Sequence, residues 1–258
     1  MNQKLILFDV DGTLITHDKK LPLSNKRAVQ ALIEKGHVVA IATGRASSLI
    51  YDLAEELNID TYVSFNGQCA VVKKNEVIYK KPLPLDSLRK LSEAAASKGH
   101  PIIYMGQEHL RSSVENHKHI IECYSPEFSS PPADPLYFEK CEIYQSQLFM
   151  REEEEHFYRD SFEEFKFIRW HPLAVDIVSK GGSKVDGIAS LVKHLGISKE
   201  DVFAFGDGIN DIEMFQFAGK SVAMGNAPDV VKKAATYVTK DILDDGIYHG
   251  LKHFGLLK

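Results

Sequence analysis

The chain has 258 residues, a 44% apolar composition and a formal net charge of −5, which suits one large domain or a core carrying a smaller second one. A mildly acidic chain argues against nucleic acid and anionic membrane as partners, because both need clustered Lys and Arg, and no apolar stretch approaches the length of a membrane span. Three scattered cysteines, Cys69, Cys123 and Cys141, form no Cys-x-x-Cys pair, so neither a zinc site nor a disulfide framework is expected, and a reducing cytoplasm is the expected location.

Lys4 to Val10 reads as a buried strand that meets Asp9 at once, with no secretory leader expected before it. Ser24 to Lys35 reads as a helix, with Ser24 as its N-cap and Gly36 just past its end. His37 to Thr43 is a second buried strand, Ala46 to Asn58 an amphipathic helix, and Thr61 to Phe65 a third strand. Near-continuous apolar strands separated by helices predict a parallel sheet covered on both faces. A hairpin follows, turning at Asn75. After "KPLPLD" the pattern changes: Leu88 to Lys98 reads as a helix, and prolines at 126, 131, 132 and 135 break a mixed region that runs to Ser179. Within it, Arg151 to Phe165 reads as a helix with a solvated acidic face, and Leu173 to Ser179 as a strand. The alternation then resumes. Ser183 and Asp186 have capping-box spacing at the head of a helix ending at Leu195. Val202 to Asp207 and Ser221 to Gly225 read as strands, followed by helices from about Ile209 and from Pro228. The two ends of the chain therefore form one α/β domain, a Rossmann-like doubly wound parallel sheet over residues 1–82 and 183–258. Residues 83–182 form an inserted α/β unit.

The chemistry gathers at the strand ends. In "DVDG", Asp9 and Asp11 lie two apart and can face one spot as the first strand finishes. Ligands of open parallel sheets sit beyond the carboxyl ends of the strands. A buried carboxylate pair repels itself unless a cation or protons compensate, and Mg²⁺ is the natural partner of such oxygens. Alone, the motif could equally be an Asx turn closed by Gly12. The strand at Ala204 to Gly206 ends in "GDGIND", adding Asp207, Asn210 and Asp211. The strand at Val38 to Ala42 ends in "TGR", where the Thr43 hydroxyl and free N–H groups can meet a phosphate or simply cap a helix. Lys184 stands in a first helical turn, where a cation opposes the helix dipole; a bond to Asp9 and to a phosphate oxygen would explain it. This set fits phosphoryl transfer through a covalent aspartyl phosphate. No Gly-x-x-x-x-Gly-Lys loop, Gly-x-Ser-x-Gly elbow or His-Glu-x-x-His pair competes.

With "DVDGT", Thr43 in "ATGR", Lys184 in "GGSK" and "GDGIND" in that order, the chain resembles the haloacid dehalogenase superfamily. "FNG" at Phe65 to Gly67, "AMGNA" at Ala223 to Ala227 and "DDGI" at Asp244 to Ile247 resemble its Cof-type phosphatases. Val185 stands where those enzymes usually carry glycine. The resemblance implies a type 2B cap at residues 83–182, because only a short flap separates Gly12 from Ser24. It also implies roles. Asp9 is the nucleophile and Asp11 the acid and base. Mg²⁺ sits on Asp9, the main-chain carbonyl of Asp11, and Asp207, with Asp211 supporting its shell. Thr43, Gly44, Lys184 and Asn210 hold the phosphate.

The expected activity is Mg²⁺-dependent hydrolysis of small phosphomonoesters such as sugar phosphates, nucleotides or pyridoxal phosphate. A phosphomutase and a non-catalytic phospho-ligand sensor are the alternatives. Specificity is expected in the insert, where His109, Arg111, His117 and His119 are candidate contacts. "KKPLPLD" and "SKGGS" are candidate hinges.

Overall fold

The computed structural model describes residues 3–124 and 129–258, so Pro126 lies outside the described residues. In chain order the first elements are β1 (Leu5–Phe8), α1 (Leu23–Glu34), β2 (Val38–Ala42), α2 (Tyr51–Leu57), β3 (Tyr62–Ser64), β4 (Cys69–Val72) and β5 (Glu76–Lys80). The middle of the chain holds α3 (Leu85–Lys98), β6 (Ile102–Met105), β7 (Leu110–Ser112), α4 (Lys118–Cys123), β8 (Gln145–Phe149), α5 (Glu155–Ser161), β9 (Phe165–His171) and β10 (Ala174–Ser179). The rest is α6 (Lys184–Leu195), β11 (Val202–Gly206), α7 (Ile212–Phe217), β12 (Lys220–Ala223), α8 (Asp229–Ala234), β13 (Tyr237–Val238) and α9 (Gly246–His253).

Two compact units result. One comprises residues 1–45, 50–79 and 183–258; the other comprises 46–49 and 80–182. The first is built on an eight-stranded sheet of order β13-β12-β11-β1-β2-β3-β4-β5. Its strands from β13 to β3 are parallel, and β4 runs antiparallel to β3. Both faces of β1 are buried, as its unbroken apolar run requires. Leu5 and Leu7 pack in one cluster with Ile188 and Leu191 of α6 and with Met214 and Phe215 of α7. The alternate residues Ile6 and Phe8 are equally buried, and the Phe8 ring meets Phe205 at 5.0 Å.

The second unit carries a five-stranded sheet of order β7-β6-β8-β10-β9 with antiparallel neighbours. Tyr104, Leu148, Val175 and Ile177 on one face pack with Leu88 and Leu91 of α3 and Tyr158 of α5. The chain enters and leaves this unit side by side: Ser179 Oγ donates to the Pro82 carbonyl at 3.3 Å. Among the described residues no helix is long and apolar enough to cross a membrane.

Several local expectations change. Helix α1 starts one residue before Ser24, and its N-cap is Pro22 with φ −61°; the proline pre-sets the entry angle. The span from Ala46 to Asn58 is not one helix. A 3₁₀ turn at Ser47–Leu49 precedes α2. The acidic run is not solvated throughout. Glu155 is buried and holds Arg159 and Arg169, the latter through Nε at 2.6 Å. Strand β9, which supplies Arg169, begins at Phe165, where the expected helix ends. We expect Glu155→Ala to cost about 3 kcal/mol, since it strands a partly buried arginine. Glu152→Ala and Glu153→Ala should stay within about 0.5 kcal/mol. Urea unfolding of the three variants checks this contrast.

Candidate active site

Because β1, β2 and β11 are parallel and in register, with Phe8 beside both Ile41 and Phe205, their carboxyl ends finish at one edge. Asp9 extends the ladder by donating its N–H to Phe205 O at 2.9 Å, and Thr43 and Asp207 follow their strands at the same edge.

Lys184 lies at the centre. Its side chain is 1% exposed, and Nζ donates to Asp9 Oδ1 and Asp211 Oδ1, each at 2.6 Å. Burial works against the ammonium charge, but Asp211 and Asp9 outweigh it and hold the lysine above its ordinary pKa. Burial and the charge of Asp211 drive the Asp9 carboxyl well above the usual carboxylate range, against the pull of Lys184. Asp211 also closes its own turn: Oδ2 accepts from the N–H of Asp207 at 3.0 Å and of Gly208 at 2.9 Å. Gly208 is the N-cap there.

The helix bearing Lys184 is fixed at its head. Ser183 caps α6 by accepting from Val185 N–H at 3.1 Å. Against it lies a left-handed turn, with φ of 53° at Phe65, 53° at Asn66 and 93° at Gly67. Positive φ at a bulky residue such as Phe65 is strained and persists only where the surroundings impose it. A Cβ at Gly67 would sit 1.9 Å from the Ser183 carbonyl, so only glycine permits this approach. The same turn grips the loop after β2. Phe65 N–H donates to Arg45 O at 2.9 Å, and Asn66 N–H to Thr43 O at 3.1 Å.

Asp11 has different partners from Asp9. Arg45 holds both of its oxygens, Nε to Oδ2 at 2.8 Å and Nη2 to Oδ1 at 2.6 Å, and Lys19 adds a 2.6 Å contact to Oδ1. Burial pushes this carboxyl up, but the bonds and charges of Arg45 and Lys19 prevail and hold it below the usual range. Asp207 has neutral partners: Thr13 Oγ1 donates at 2.9 Å and Asn226 Nδ2 at 3.3 Å. Burial pushes its carboxyl up to about 6. Gly12, with φ +77°, lets the turn after β1 pass against Asp207, where a Cβ would lie 2.1 Å from Oδ2. The Thr43 hydroxyl accepts from Arg45 N–H at 3.1 Å. Gly44 and Asn210 come together around Asn66: Asn210 Nδ2 donates to Asn66 Oδ1 at 3.4 Å, and a Cβ on Gly44 would meet that oxygen at 2.9 Å.

Sequence reasoning gave no role to Lys19, Arg45, Asn66 or Asn226. Arg45 and Asn66 lie within quoted motifs, and Asn226 within "AMGNA", but their partners are distant in sequence. In the second unit, His117 serves as a cap, accepting from His119 N–H at 3.2 Å, and the Arg111 guanidinium lies 5.5 Å from the Tyr137 ring centroid.

The donor set fits a hard cation. Asp9, Asp207 and Asp211 each offer an oxygen, all within 4.8 Å of one another. Among the described residues, Lys184 is the one ammonium bonded within this cluster, to Asp9 and Asp211, while Asp207 accepts from the neutral Thr13 and Asn226. Clustered carboxylate oxygens select Mg²⁺-like ions over soft metals. The Asp11 side chain stands apart, already paired with cations.

Removing the buried cation should be costly. We expect Lys184→Met to destabilise the metal-free protein by about 3 kcal/mol in urea unfolding. Asp11→Asn, at a half-exposed pair whose amide can still accept one Arg45 bond, should cost less, about 1 kcal/mol. Gly67→Ala should cost at least about 1 kcal/mol, because its positive φ and the Ser183 carbonyl both oppose a side chain.

Similarity to known proteins identifies the family. The family model described as haloacid dehalogenase-like hydrolase matches residues 6–251. The protein YkrA of Bacillus subtilis (strain 168) is 42% identical over 259 residues, covering all of both chains. A crystal structure of a Geobacillus kaustophilus HTA426 chain superposes with a TM-score of 0.95 at 47% identity, covering 99% of this chain and 100% of that one. The haloacid dehalogenase subclass IIB sugar phosphatase BT4131 superposes with a TM-score of 0.87 at 34% identity, covering 99% and 100%. The chain belongs to the haloacid dehalogenase-like hydrolases, an enzyme family, and its strand-end motifs resemble the Cof-type members.

Proposed function

We propose that this enzyme is a Mg²⁺-dependent phosphatase of small phosphomonoesters that works through an aspartyl phosphate on Asp9. The observation that carries this reading is the Asp9, Asp207 and Asp211 cluster around the buried Lys184 ammonium. Similarity to a sugar phosphatase supports it.

Mg²⁺, held by Asp9, Asp207 and the main-chain carbonyl of Asp11 with Asp211 in support, would supply positive charge against the transferring phosphoryl group. A carboxylate oxygen of Asp9 attacks phosphorus, and the ester P–O bond breaks with its electrons on the leaving oxygen. Asp11, which must enter this step protonated, gives that oxygen its proton and is left as the carboxylate. Asp11 then takes a proton from water as the water oxygen bonds phosphorus and the Asp9–phosphorus link breaks. Lys184 offsets the charge on Asp9 and, with Thr43, Gly44 and Asn210, holds the phosphoryl oxygens. Residues 83–182 act as a cap that selects among substrates such as sugar phosphates, nucleotides or pyridoxal phosphate. The working partner is thus a small phosphorylated metabolite in the cytoplasm, not nucleic acid or membrane.

A panel of phosphomonoesters, assayed with Mg²⁺ and with excess chelator, tests this. Release should require the metal and fall at least about a thousandfold in Asp9→Asn. A labelled ester should leave an acid-stable covalent label on the parent chain and none on Asp9→Asn. Release that survives either chelation or Asp9→Asn would overturn the reading.

A further inference from the structure

We infer that Arg45 is the positioning residue for Asp11: it fixes the carboxyl group that moves the proton in each half of the reaction. This rests on the phosphatase reading above. Three observations carry it. First, Arg45 binds side-on with one donor per oxygen, Nε to Oδ2 at 2.8 Å and Nη2 to Oδ1 at 2.6 Å; two parallel bonds fix the plane of a carboxylate, which a single charge cannot do. Second, Arg45 is itself held at both backbone polar groups. Its N–H donates to Thr43 Oγ1 at 3.1 Å, and its carbonyl accepts from Phe65 N–H at 2.9 Å. The second of these bonds comes from the strained left-handed turn that also abuts the head of the Lys184 helix. Third, the donors divide unevenly. Among the described residues, Oδ1 takes both Arg45 and Lys19, whereas Oδ2 takes Arg45 alone. Oδ2 is therefore the oxygen with room to carry a proton.

Lys19 does not share this role. Its side chain is 63% exposed, and an exposed lysine fixes little. In the first half-reaction Asp11 Oδ2 delivers its proton to the leaving oxygen as the ester P–O bond breaks. In the second the same oxygen receives the proton of the attacking water. A carboxyl group free to rotate would miss both atoms.

The leaving group provides the test. An aryl phosphate such as p-nitrophenyl phosphate departs as a stable anion and needs little proton transfer; an alkyl phosphate such as glycerol phosphate needs it fully. The parent chain, Arg45→Ala, Arg45→Lys, Lys19→Ala, Asp11→Asn and Arg45→Ala/Asp11→Asn are compared by kcat/KM on both esters with Mg²⁺, each checked for a cooperative melt. Arg45→Ala should lose about a hundredfold on the alkyl ester and at least about tenfold less on the aryl ester. Lys should restore little of it, because the fork is lost. Lys19→Ala should lose clearly less than Arg45→Ala on the alkyl ester, because its single contact to Asp11 comes from a side chain that is 63% exposed. In the Asp11→Asn background, Arg45→Ala should change the rate by less than about threefold, as residues acting through one group are non-additive. Equal loss on both esters, full rescue by Lys, an equal loss in Lys19→Ala, or additive losses with Asp11→Asn would each overturn the inference while leaving the phosphatase intact. If Arg45→Ala does not fold, Arg45→Lys decides the same question by the same ratio. No release from any ester by the parent chain would overturn the phosphatase reading, and this inference with it.

Discussion

One buried ammonium organises the site. Lys184 sits between Asp9 and Asp211, almost fully removed from solvent. A charge in that position is tolerable only with partners, and two carboxylates so close are tolerable only with a cation. Each group therefore requires the others. The arrangement still leaves more carboxylate than cation once Asp207 is included, and that imbalance suits a hard cation.

Fixing Lys184 falls to a piece of backbone that no charge argument would single out. The turn at Phe65 to Gly67 holds successive residues at positive φ, a strained state. In return it lies against Ser183 and binds the loop that carries Thr43 and Arg45. One turn thus sets two cations, Lys184 for Asp9 and Arg45 for Asp11. The two aspartates of "DVDG" are close in sequence but belong to separate electrostatic environments. One is enclosed with a lysine and another carboxylate; the other is half-exposed and forked by an arginine.

Much of this was legible in the sequence. Apolar runs that end in Asp9, Thr43 and Asp207 reported buried parallel strands, because a strand covered on both faces shows no alternation. Ser183 announced the head of α6, because an N-cap is a local hydrogen bond. Local signals failed where the deciding partner was remote. Among the glutamates from 152 to 155, Glu155 is the one buried against both Arg159 and Arg169. Arg159 is one helical turn away, but Arg169 lies on β9, and nothing in the acidic run identifies it. A 3₁₀ turn at Ser47–Leu49 interrupts a helix that periodicity alone would have continued.

By itself the sequence determined the family, the strand-end placement of the carboxylates and the identity of the buried lysine. These depend on residue type and short spacing, which parallel pairing converts directly into position. Only the tertiary structure decided that Arg45 belongs to Asp11, that Asp211 shares Lys184 with Asp9, and that Asn226 and Thr13 hold Asp207. Most of these pairs join residues separated by tens to hundreds of positions. What brings them into contact is the closure of the sheet and the strained turn beside it, and neither leaves a mark on the residues that they join.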